Sequence, residues 1–434
     1  MHLYDMVIKN GTILTMDSRN RVIKNGWLGI KDEVIIDVGD DSDLPKQGKQ
    51  IIDAKGGLIL PGLVNGHTHA AMSLFRGLAD DLPLMEWLNN YIFPAEGKMD
   101  KTSVHAGTLL ACAEMILSGT TTFCDMYLFE NEVAIAAKAA GMRCLVGEVL
   151  YDFPSPNYGQ IEKGLEYTES LILNWADDPL VSIAVEPHSP YTCSSELLTS
   201  ASEMALKYNV PLIIHMSESK SEILEVKEKY GKLPFEHLLA LNVLGPHMIA
   251  DHCVWVDDRE MEIMADHNIK VIHNPESNMK LASGFSPVPK MIEKGITVGL
   301  GTDGCASNNN LDLFSEMDTA AKLHKINTMD PTVMDALTVF RMATIQGAEA
   351  LGMGTTIGSI ENGKKADVII VDTYKPHLTP MYNPYSHLVY AAKGSDVSHS
   401  IINGQLVMAD RKLLTLDLDV IIEHACEQSA KITK

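Results

Sequence analysis

Two histidines one residue apart, His67 and His69, follow an apolar run at 58–64. Imidazole nitrogens are good ligands for first-row metals, and an H-x-H pair can offer two to one ion. With 16 histidines in 434 residues, such a pair by itself is close to chance. Its weight comes from the residues in equivalent places. Other short apolar runs end in Glu186-Pro187-His188, in His215 with Glu218 three residues on, in Asp251-His252, in His273-Asn274 and in Thr302-Asp303.

Groups of this kind cost desolvation energy when they converge without a partner. A shared metal ion is the economical explanation. Zinc suits nitrogen and oxygen ligands and, in a catalytic site, keeps a position open for water. Three histidines and one aspartate would fill four positions and leave a fifth. The ion would lower the pKa of that water toward neutrality. A carboxylate must then move protons, and Glu218 stands one helical turn after His215.

The elements that must carry these residues are eight apolar runs, at 58–64, 120–125, 144–150, 181–185, 211–214, 248–250, 270–272 and 297–300. Helical periodicity fills the gaps. Leu197, Leu198, Ala201, Met204 and Ala205 share one face, and Asp257 with Glu260 reads as a capping box. Near-continuous apolar strands alternating with helices predict a (β/α)8 TIM-type barrel, with chemistry at the C-terminal strand ends. Both chain ends have a different texture, short strands punctuated by Asn10-Gly11, Asn25-Gly26 and Asn403-Gly404. They predict a small β-sandwich domain built from 1–57 and 364–434, with the catalytic barrel at 58–363.

The pattern resembles the amidohydrolase superfamily and, within it, the 5-methylthioadenosine/S-adenosylhomocysteine deaminase family. The resemblance spans nearly the whole chain. It rests on Pro61-Gly62-Leu63-Val64-Asn65-Gly66-His67-Thr68-His69, Arg76-Gly77-Leu78-Ala79-Asp80-Asp81-Leu82, Pro187-His188-Ser189-Pro190-Tyr191 and His215-Met216-Ser217-Glu218. It continues through His273-Asn274-Pro275-Glu276-Ser277-Asn278, Gly301-Thr302-Asp303-Gly304 and Ala306-Ser307-Asn308-Asn309. It implies one zinc per subunit on His67, His69, His215 and Asp303. It implies ribose hydroxyls on Glu96, substrate contact from His188, Glu218 at N1 of an adenine ring and His252 beside the attacking water. An activated water, oriented by Asp303 and His252, would add at C6, and ammonia would leave. Relatives with two metals place a carboxylated lysine at the end of the fourth strand; this chain reads Val185-Glu186-Pro187-His188 there.

One departure narrows the substrate. Relatives that accept S-adenosylhomocysteine often carry an arginine after the third strand, where this chain reads Leu145-Val146-Gly147-Glu148. Glu148 would repel a carboxylate. Methylthioadenosine, adenosine and 5-deoxyadenosine are therefore expected ahead of S-adenosylhomocysteine.

The net charge of −22 disfavours nucleic acid and anionic membranes as partners and leaves a small-molecule nucleoside. Seven scattered cysteines with no C-x-x-C pair suit a reducing cytoplasm rather than a disulfide framework. The N-terminus has no signal-peptide pattern, and no apolar run is long enough to span a bilayer. A homo-oligomer is compatible with all of this. Gly358–Lys365 nearly spells a P-loop but precedes a strand, so it reads as a turn. The H-x-E…P-C-x-x-C deaminase signature is absent. His105, His237, His324 and His424 read as surface or satisfied polar residues. Two rival readings remain. One is a guanine or triazine hydrolase on the same scaffold, against which Glu96 speaks for a ribose. The other is a non-catalytic scaffold relative, against which the intact residue set speaks.

Overall fold

The computed structural model describes residues 4–40, 42, 48–82, 86 and 88–433. Residues 1–3, the start of the stretch that lacks a signal-peptide pattern, lie outside the described residues.

The apolar runs form two parallel sheets. The first holds Leu63–Thr68, Thr120–Tyr127 and Arg143–Leu150, with Val181–Ile183 and Glu186–Pro187 along the last of these. The second holds Leu212–Met216, Met248–His252, Lys270–His273 and Val298–Leu300. Every residue of Leu63–Thr68, Thr120–Tyr127, Arg143–Leu150, Leu212–Met216 and Met248–His252 is buried. Strands covered on both faces need no polar alternation, which is why they read as apolar runs.

Single contacts run between the two sheets. A parallel bridge pairs Val185 with Leu212. At the other edge the Asp303 N–H donates to the His67 carbonyl at 2.9 Å. The buried Asn65 side chain reinforces that edge. It donates to Thr302 Oγ1 at 2.8 Å and accepts from the Thr302 N–H at 3.0 Å. Gly301 permits this approach, because a Cβ there would sit 2.8 Å from the His67 nitrogen and 2.5 Å from Asn274 Oδ1.

Helices return the chain between strands. Asp257 and Glu260 form the expected capping box at the start of Asp258–Asp266. Ser194 caps Ser195–Tyr208, which buries Leu197, Leu198, Ala201 and Ala205.

The run at 58–64 is two strands rather than one. Leu58–Pro61 pairs with Val368–Val371 and with Met6–Leu14, while Leu63–Thr68 joins the first parallel sheet. Pro61 has no N–H to continue a ladder. Gly62 packs so tightly on Thr121 that a Cβ would lie 2.0 Å from its hydroxyl oxygen.

Both chain ends enter one nine-stranded sheet. From the N-terminal side come Met6–Leu14, Val22–Lys31, Val34–Asp40, Gln50–Asp53 and Leu58–Pro61. The C-terminal side supplies Val368–Val371, Val397–Ile402, Gln405–Ala409 and Lys412–Leu413. Its apolar cluster includes Ile8, Ile13, Leu28, Ile30, Ile59, Val368 and Ile370. Strand pairing among the described residues gives one continuous sheet. Gly358–Lys365 leads into it as a turn, with the Ile360 N–H on the Thr15 carbonyl at 2.7 Å. Arg143, on the third strand of the first parallel sheet, holds the nine-stranded sheet through Asp367, Nε to Oδ2 at 2.7 Å.

Candidate metal centre and active site

The C-terminal strand ends bring His67, His69, His215, His252 and Asp303 together. The ligand atoms of His67, His69 and Asp303 lie within 4.8 Å of one another, as do those of His67, His215 and His252. The His67 ring centre is 4.9 Å from those of His69 and His215 and 5.5 Å from that of His252. Asp303 Oδ1 is 3.6 Å from His67 Nε2 and 3.2 Å from His69 Nε2.

The backbone is forced to make this convergence. Ser217, His252, Cys253 and Asp303 take φ values of 53°, 69°, 48° and 62°. Non-glycine residues rarely occupy that left-handed region, and such strain concentrates at functional sites. Each of these residues ends a parallel strand or follows one within three residues.

The outer partners settle which imidazole nitrogen faces inward. His69 Nδ1 meets the Met126 carbonyl, and His215 Nδ1 meets the His188 carbonyl at 2.9 Å. His67 Nδ1 lies 3.1 Å from Asp251 Oδ2, with both residues fully buried. A ring that donates from Nδ1 has its lone pair on Nε2. His69 and His215 therefore present bare Nε2 atoms beside His67 and a carboxylate, the kind of donor set a zinc ion takes. Both ring nitrogens of His67 are buried without a hydrogen-bond partner among the described residues. The residues fit the metal.

Asp303 is the anionic member. Burial opposes its charge, but the histidines around it win, and its carboxyl is held well below the ordinary range. Ser277 Oγ donates to its Oδ2 at 2.6 Å and the Gly304 N–H to its Oδ1 at 2.7 Å. Asp125 anchors the loop after the histidine pair. Its Oδ1 accepts from Thr68 Oγ1 and from the Ala70 N–H, each at 2.5 Å.

The other expected residues have these surroundings. His252 is buried, with Nδ1 2.9 Å from Asn278 Oδ1 and Nε2 3.9 Å from Asp303 Oδ2. Glu218 is half-buried, and Ser283 Oγ donates to its Oε1 at 3.5 Å. The His188 ring lies 4.8 Å from His215 and bonds Thr192 and Ser189 through Nδ1. Burial and the surrounding imidazoles push its pKa down to about 3, so it is neutral. Glu96 ends the short helix Phe93–Glu96, and Tyr127, whose ring is 5.9 Å from His69, donates to its Oε1 at 2.8 Å. Burial pushes the Glu96 carboxyl up to about 7 against that bond.

One expectation changes. Glu148 is fully buried and its carboxylate is already engaged, by the Glu130 N–H and by Asn157 Nδ2, each at 2.9 Å. It holds the start of helix Glu130–Ala140 rather than presenting a free charge to substrate. Of the histidines read as surface or satisfied polar residues, His324 is of the polar, interior kind. It is buried with Nε2 3.0 Å from His273 Nε2. Asp251, Asn278, Ser277 and Tyr127 are the partners that sequence reasoning did not assign. Asp251 was legible from its place beside His252. Ser277 and Asn278 lie in the motif at 273–278 but reach the site from a distant segment, and Tyr127 ends the strand Thr120–Tyr127, beyond the apolar run read at 120–125.

A cavity of about 690 Å³ opens at the opposite strand ends, lined in part by Val181, Pro211, His247 and Lys270. None of the side chains above reaches it.

Residues 58–407 match the amidohydrolase family. The chain belongs to that family. Among amidohydrolases it stands with the 5-methylthioadenosine/S-adenosylhomocysteine deaminases. It is 59% identical to the one from Syntrophobacter fumaroxidans, over 97% of this chain and 96% of that protein. It is 46% identical to the 5'-deoxyadenosine deaminase of Methanosarcina acetivorans, over 97% of this chain and 96% of that protein. The crystal structure of a zinc-bound adenosine deaminase from Xanthomonas campestris superposes with a TM-score of 0.97 at 36% identity, covering 99% of this amidohydrolase and 98% of the other chain.

Proposed function

We propose that this amidohydrolase hydrolytically deaminates adenosine-type nucleosides, turning the 6-amino purine into its 6-oxo analogue and releasing ammonia. The observation that carries it is the set of inward-facing imidazoles beside Asp303, with the half-buried Glu218 three residues beyond His215. The names of its full-length relatives point to the same reaction.

His67, His69, His215 and Asp303 would hold one zinc ion. When bound, it would lower the pKa of a water at the open position and make it a nucleophile near neutral pH. Asp303 and His252 orient that water toward C6 and take up its proton. Glu218 gives a proton to N1 as the ring loses aromaticity, and the returning proton leaves with ammonia. Glu96 accepts the ribose hydroxyls, and neutral His188 contacts the substrate.

The parallel sheets are read as one closed eight-stranded barrel over 58–363. The residues at 1–57 and 364–434 are read as a smaller domain whose sheet folds over as a sandwich. Edge contacts at Val185–Leu212 and His67–Asp303 support closure.

Uncharged 5'-substituents are preferred over S-adenosylhomocysteine. Glu148 no longer supports this, but Tyr151 does. It stacks on Phe153 at 3.8 Å and edges toward His188 at 6.5 Å, an aromatic surface that suits an apolar 5'-group. The seven free cysteines, six of them buried, suit the cytoplasm. Among described residues no helix is long and apolar enough to cross a membrane.

A panel of methylthioadenosine, 5'-deoxyadenosine, adenosine, S-adenosylhomocysteine, guanine and a chlorotriazine, read by ammonia or chloride release, tests the reading. Turnover confined to guanine or the triazine overturns it. A higher kcat/KM on S-adenosylhomocysteine than on methylthioadenosine overturns the 5'-group preference alone.

A further inference from the structure

Four residues past Glu218, on helix Lys220–Tyr230, stands a second glutamate, Glu222, that no step above uses. It is almost fully buried. Its Oε1 accepts from the Ser217 N–H and its Oε2 from the Glu218 N–H, both at 2.8 Å. Ser219 caps the helix, accepting from the Glu222 N–H at 3.2 Å. In a capping box the third helical carboxylate returns to the N–H of the cap residue. Here it reaches past the cap to the two residues before it.

Those two residues make the turn that aims Glu218. Ser217 stands at φ 53°, a conformation costly for any residue but glycine. The turn lies directly after ligand candidate His215 and its strand. The Trp255 N–H donates to the Ser217 carbonyl at 2.8 Å, so the peptide is clamped from both sides. Burial raises the Glu222 carboxyl to about 8, while the two backbone N–H groups pull it back. An acid kept in so costly a place, with both oxygens on one turn, is serving that turn.

We infer that Glu222 is a positioning residue for the deamination reaction, fixing the 217–218 turn so that the Glu218 carboxylate meets the substrate ring. The inference rests on the role proposed above for Glu218. Misplacing a reacting group by about 1 Å costs on the order of 10²-fold in rate.

The test uses zinc-loaded full-length protein and Glu222→Met, Glu222→Gln, Glu218→Gln and Glu218→Gln/Glu222→Met variants. Glu222→Met removes both acceptors and is expected to lower kcat on methylthioadenosine about 10²-fold, with KM changed less than about threefold. Glu222→Gln keeps one acceptor and should fall between it and the parent. Should the Met variant not fold, the Gln variant carries the test. The double variant should be no slower than Glu218→Gln, because Glu222 acts through Glu218. Amide exchange across 215–223, read by mass spectrometry, should quicken about tenfold in Glu222→Met. A kcat within twofold of the parent, a multiplicative further loss in the double variant, or unchanged exchange overturns the inference. If the parent leaves every nucleoside intact, the deaminase reading fails, and the exchange measurement decides the Glu222 turn separately.

Discussion

Asp251 Oδ2 lies 3.1 Å from His67 Nδ1, with both side chains fully buried. The aspartate stands on Met248–His252, in the other parallel sheet from His67. It stands beside the ring whose opposite nitrogen faces the candidate metal centre. Partners of this kind raise ligand basicity and set the tautomer. Asp251→Asn is expected to weaken zinc binding about 10–100-fold, with activity recovering at excess zinc. Competition against a chromogenic chelator measures it, and an unchanged affinity would remove Asp251 from the metal site.

Glu218→Gln should abolish proton delivery to N1 while leaving the metal ligands intact. The expected loss in kcat is about 10²–10⁴-fold, at unaltered zinc content. Steady-state kinetics alongside metal analysis checks both halves. A variant that retains most of its kcat would assign the proton to another group.

The carboxyl of Glu96, raised to about 7, gives a pH dependence with a definite sign. Ribose hydroxyls donate best to the ionised form. Below about pH 7 Glu96 takes up a proton, so KM should rise as pH falls through that value and level off above it. Glu96→Gln should raise KM and flatten its pH profile. A parent KM that stays constant from pH 6 to 8 would contradict this role.

The buried Arg143–Asp367 pair joins a parallel strand to the nine-stranded sheet, and Arg143 also bonds Asn403 and the Pro179 carbonyl. Removing one partner strands a buried charge. Arg143→Met should therefore lower stability by about 3–5 kcal/mol, read as a fall in Tm. Zinc stoichiometry of the protein that remains folded should not change, because the pair lies at the far end of the strand from the histidines.

Much of the site was legible in the sequence because strand ends carry side chains into one mouth. His67, His69, His215, His252 and Asp303 could be found by inspecting the residues at the end of each apolar run. The groups that orient them could not be found that way. Asn278 reaches His252 from 26 residues away, and Ser277 reaches Asp303 across the same gap. Tyr127 and Glu96 meet through a contact between segments 31 residues apart. Glu148 illustrates the opposite error. Its position suggested a charge facing substrate, yet both oxygens are spent on Glu130 and Asn157, a fact of packing that spacing does not encode. The run at 58–64 misled for a related reason. Hydrophobicity is continuous across Pro61-Gly62, while the ladder changes partner there.

The most direct measurement is a zinc titration of chelator-stripped protein, with ammonia release from methylthioadenosine as the readout. The account predicts that activity is absent at the start, rises linearly and saturates at one equivalent of zinc per chain, with ammonia matching the 6-oxo nucleoside formed. Full activity without metal, saturation only at two equivalents, or an unchanged nucleoside at full zinc occupancy would contradict it.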